Sequence, residues 1–75
     1  MNKQRRKQLE KVIQSLEAAK DELESLKEEE EDYKENMPEN LLNSEKHDRA
    51  EEACEYMESA YDSIDEAINS ISEAM

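Results

Sequence analysis

Apolar residues return every seven positions along almost the whole of this chain. That period restricts it to helices that each bury one stripe against another helix. In the first half, Leu9, Leu16, Leu23 and Met37 share one heptad position, and Val12, Ala19, Leu26 and Tyr33 share the position three residues later. This alternation is the a/d seam of a coiled coil. Glu30 interrupts it, falling in the acidic run 28–32 where the pattern asks for leucine, so the seam is expected to loosen there. The second half is more regular. Ala53-Cys54-xx-Met57, Ala60-Tyr61-xx-Ile64 and Ala67-Ile68-xx-Ile71 are three successive heptads, and Ala74-Met75 opens a fourth. With Cys54, Tyr61, Ile68 and Met75 at a, and Met57, Ile64 and Ile71 at d, the alanines fall at the flanking g position. A stripe three residues wide per heptad suits a bundle in which one helix touches more than one neighbour.

Between the halves, residues 36–44 hold the only proline, Pro38, and three asparagines. Proline disfavours helix in the residue before it. The first helix is therefore expected over about residues 3–35, the turn over 36–44 and the second helix over about 45–75. Ser44 or Asn43 is the expected N-cap of the second helix, with Glu45 and Asp48 in its first turn near the positive end of the helix dipole. Leu41 and Leu42 are expected to plug the closed end. Both helices would be roughly 45 to 50 Å long at about 1.5 Å per residue, and such matched lengths favour folding back. A fold near residue 40 sets Leu9 near Ile71, Leu16 near Ile64, Ala19 near Tyr61 and Leu23 near Met57. It also sets the basic start (Lys3, Arg5, Arg6, Lys7, Lys11) beside Asp62, Asp65, Glu66 and Glu73, an attraction of modest worth at an exposed surface.

The expected fold is therefore all-α, an antiparallel two-helix coiled-coil hairpin. Chains of 75 residues bury little of their surface unless a metal, a disulfide or a partner helps. Two helices make only one interface. The hairpin is expected to pair with itself, a dimeric four-helix bundle being the simplest closed arrangement and a higher oligomer the alternative. Leu9, Val12, Leu16, Leu23, Leu26, Cys54, Met57, Tyr61, Ile64, Ile68 and Ile71 are the expected core and oligomer seam. The lone Cys54 forms no internal bridge, which makes the cytoplasm the expected setting. It reads as a small core hydrophobe, because Glu51, Glu52 and Glu55 disfavour a thiolate. No apolar run reaches the roughly 18 residues that a membrane span needs, so no membrane partner is expected.

Chemistry is sparse. The one histidine, His47, is expected near Tyr33 and Glu30 at the end of the bundle, where a pH-sensitive pair with Glu30 competes with a merely half-exposed ring. The acidic run 28–32 lacks the alternating ligands and glycine turn of a calcium loop. Without a phosphate loop, a nucleophile elbow or a cysteine and histidine cluster, the chain reads as a non-enzyme with no metal and no cofactor. Its net charge of −12 is unevenly spread: residues 1–11 carry five basic and one acidic side chain, while residues 45–75 carry ten acidic and two basic. Glu51, Glu55, Glu58, Asp62 and Asp65 follow the four-three spacing of one helix face, as do Glu17, Asp21, Glu24, Glu28 and Glu31. Such rows can imitate the phosphates of nucleic acid and occupy the basic groove of a host protein. The alternative is a purely structural or assembly module whose acids keep a leucine-seamed oligomer soluble. Direct nucleic-acid binding is disfavoured by the charge. A third reading has an oligomer holding a small anionic nucleotide through Arg5 and Arg6.

The segment YKENMPENLLNSE at 33–45, set between a leucine-seamed acidic helix and an alanine and isoleucine repeat, resembles short acidic proteins of unknown function encoded by bacteriophages and prophages of Gram-positive bacteria. Its most specific part is NMPENL at 36–41. The resemblance carries over no activity to any residue. It implies a setting, the cytoplasm of an infected or lysogenic cell, where small acidic phage proteins often bind and inhibit host or defence proteins.

Overall fold

The structure, a computed structural model, describes residues 1–38, 40 and 44–75. Two helices, α1 (Lys3–Glu35) and α2 (Glu45–Ala74), fold back on one another as an all-α hairpin measuring 60 × 15 × 11 Å between Cα atoms. The ends of the helices follow from local chemistry. The Asn2 carboxamide oxygen accepts from the Arg5 N–H at 2.7 Å, satisfying one of the unpaired donors of the first turn of α1. At the other end the Asn36 N–H reaches the Asp32 carbonyl at 3.0 Å and the Met37 N–H the Lys34 carbonyl at 3.3 Å, after which Pro38 has no N–H to give. Ser44 starts α2, its hydroxyl accepting from the His47 N–H at 3.3 Å, and Glu45 and Asp48 sit in the first turn. Of the two N-cap candidates, Asn43 lies outside the described residues, as do Leu41 and Leu42, the expected plug.

α2 packs much as its repeat foretells. Cys54 and Ile68 are buried, and Met57, Tyr61, Ile64, Ile71 and Met75 are half-buried. The same stripe runs one turn further than the repeat suggests, through Ala50, which is buried more completely than any leucine among the described residues.

α1 departs from expectation. Leu9, Leu16 and Leu23 lie in the contact, but the residues beside them are Ile13, Lys20, Lys27 and Lys34, all half-buried. Val12 and Leu26, expected in the seam, are exposed, and so is Tyr33. Positions three and four residues after each leucine both border a leucine-centred seam, and α2 leans over the second set. The choice is physical. Lysine stems cover apolar surface while their ammonium groups stay at the edge, where Lys20 finds Asp65 and Tyr61.

Those partners also set the register. Lys20 reaches Tyr61 and Asp65, one turn apart on α2, and Cys54 lies among Lys27, Glu30, Glu31 and Lys34. Lys20 is thus about level with Ile64, and Glu30 with Cys54, a shift of about one helical turn from the expected pairing of Leu16 with Ile64 and of Ala19 with Tyr61. Among the described residues the one interhelical ion pair is Lys20 with Asp65, so the basic start of α1 makes none with the acidic end of α2.

Candidate interaction surfaces

The two sides of the hairpin differ because of how each helix borders the seam. On α1, Lys20 sits between Glu17 and Glu24, each within a turn of it on the same edge. Its ammonium crosses to Asp65 at 3.0 Å, and Lys27 pairs along its own helix with Glu31 at 3.6 Å. The edge of α1 that carries Glu17, Glu24 and Glu31 therefore lies beside the edge of α2 that carries Glu58 and Asp65. Both expected acidic rows, Glu51, Glu55, Glu58, Asp62 and Asp65 on α2 and Glu17, Asp21, Glu24, Glu28 and Glu31 on α1, fall on one side of the molecule. All are exposed except Glu31 and Asp65, which are half-buried beside their lysines.

Lys20 joins this side to the core. Its side chain donates to Asp65 and rests 5.2 Å from the centroid of the Tyr61 ring, within range of a cation–π attraction. The hydrogen bond to Asp65 holds its pKa above the ordinary 10.5, against an opposing effect of burial.

The opposite side is the one the sequence reading placed in the core. There Val12 is 44% exposed, Leu26 48% and Tyr33 53%, in line with Ala19 along α1. Across the seam runs the alanine row of α2, with Ala60 exposed and Ala53 and Ala67 half-buried, and next to it stands Tyr56, 68% exposed. Among the acidic residues of the two described helices, only Glu22 and Glu29 belong to this side by heptad position. The hairpin is acidic on one side and largely uncharged and apolar on the other. The heptad repeat already contained this division, but it could be seen only once the side that α2 leans over was known.

Cys54 is buried, and burial pushes its thiol above the ordinary 9.0 while the neighbouring Lys34 pulls the other way. A protonated thiol in an apolar seam is packing material. His47 is half-buried at the start of α2, and its pair with Glu30 is not among the ion pairs of the described residues. With Asp48 and Glu51 it brings three ligand atoms within 4.8 Å of one another. Exposed carboxylates gather in this way on any acidic helix, since residues three and four apart share a face. Arg5 and Arg6, the expected anion contacts, are exposed in the first turn of α1, and the Arg5 N–H is already taken by the Asn2 cap. No helix among the described residues is long and apolar enough to cross a membrane. Comparison with protein families, with curated proteins and with solved structures finds no match.

Proposed function

We propose that this chain is a binding protein rather than an enzyme, a hairpin that associates with itself through its apolar side and offers its acidic side to a basic surface on another protein. The observation that carries this reading is the segregation of the two sides. Acids needed only for solubility have no reason to avoid one side of a rod, and an apolar row holding two tyrosines, a leucine and a valine is expensive to leave in water. Ten carboxylates in two neighbouring rows resemble the charge density of a nucleic-acid backbone and favour a partner that binds DNA or RNA. The resemblance of residues 33–45 to phage-encoded proteins supports a setting in an infected or lysogenic cell and an inhibitory role against a host or defence protein.

The test is displacement. Basic proteins held on DNA-cellulose should be released by the wild-type chain, and less so as salt rises. Glu55→Lys with Asp62→Lys should lose that release while keeping the helical circular dichroism. If the double variant displaces as well as wild type, the acidic side is solubilising surface and the purely structural, assembly-module reading replaces this one.

A further inference from the structure

We propose that the apolar side is covered by a second copy of this chain lying head to tail, with a two-fold axis passing close to Ala19. The inference rests on the self-association proposed above and adds the face and the orientation. Three observations support it.

The first is size. The side measures 60 × 15 Å between Cα atoms, a footprint of roughly 900 Å², close to the ~800 Å² per partner of a stable protein interface. The second is self-complementarity. Residue 19 is the midpoint of α1 (Lys3–Glu35), so an antiparallel pairing about it brings Val12 of one copy to Leu26 of the other. The same operation carries Arg5 to Tyr33, a cation to an exposed aromatic ring, and leaves the small Ala19 where the two backbones come closest.

The third is charge. Arg5, Arg6 and Lys7 stand at the N-terminal end of α1, where the helix dipole is itself positive and no acidic residue shares the first turn. The other end of α1 carries the acidic run 28–32 and Glu35. Head to tail, Arg5, in line with Val12 and Ala19, comes within a turn of Glu29 of the other copy, the member of that run on this side. Stacked closed end on closed end, those two residues would lie at opposite ends of the rod.

Disulfide trapping distinguishes these arrangements. In a Cys54→Ala background, Ala19→Cys should oxidise to a covalent dimer, because the axis brings the two copies of residue 19 within disulfide reach. Gln14→Cys, on the outside of α1, should form little. Sedimentation equilibrium should give twice 8.8 kDa for the wild-type chain. Leu26→Asp should sediment as a monomer with its helical signal intact, since Leu26 lies outside the hairpin seam. Arg5→Glu should weaken dimerisation about threefold at low salt, although it suits the dipole of the isolated helix.

A monomer at every concentration would overturn both this proposal and the self-association beneath it. A dimer that persists in Leu26→Asp, or in which Ala19→Cys cross-links no better than Gln14→Cys, would overturn this face and orientation while leaving self-association standing.

Discussion

Among the described residues, Lys20 and Cys54 are the two side chains whose ionisation the fold visibly perturbs, and both are shifted upward. A group whose folded pKa exceeds its unfolded one stabilises the fold below the unfolded value, and that contribution is lost as the pH climbs through the folded value. For Cys54 the loss begins above the ordinary 9.0, and for Lys20 above 10.5. The hairpin should therefore lose thermal stability progressively from about pH 9 upward. Melting curves followed by circular dichroism should show this, and Cys54→Ala should remove the earlier part of the decline. Packing gives a second expectation at this scale. Ile68 is buried, so Ile68→Ala should cost about 2 kcal/mol in urea unfolding, at the low end for such truncations because a two-helix layer can close around the gap. Ala50, buried where α2 begins, has no room for growth, and Ala50→Leu should cost about 1–3 kcal/mol through overpacking.

The two helices differ in how much of their structure could be read beforehand. The helix limits and the Ser44 cap were legible because the relevant chemistry is local: one proline, a cluster of asparagines and an acidic first turn. Ser44→Ala should cost about 1 kcal/mol, seen as a lower urea midpoint with an unchanged slope. The seam of α2 was legible because its apolar positions leave one choice. The seam of α1 was not, since Val12 and Ile13 are neighbours and both border the leucine row. Apolarity alone favoured the set containing Val12, Leu26 and Tyr33. The set holding Ile13 and Lys20 lies under α2 instead, and Lys20 there meets a partner 45 residues away, Asp65, which no local pattern reveals. For the same reason the acidic rows were visible in the sequence, while their meeting on one side was not.

At the scale of the whole molecule, a rod 60 Å long and two helices thick has few ways to hide apolar surface within itself. If a second copy covers the open side, folding and association are linked, and the melting temperature should rise with protein concentration. Scanning calorimetry across a hundredfold dilution checks this, and a concentration-independent melting temperature would argue for a monomer. The lysine that joins core to margin has one more consequence. A zipper of like teeth can mesh a notch early or late, because each leucine layer offers the same fit as the next. The Lys20 contact with Tyr61 and Asp65 makes one tooth of α2 unlike the others: displaced by a heptad, Lys20 would leave both the tyrosine ring and the carboxylate it now holds. It acts as the index mark on a vernier, fixing where two otherwise repetitive scales must coincide.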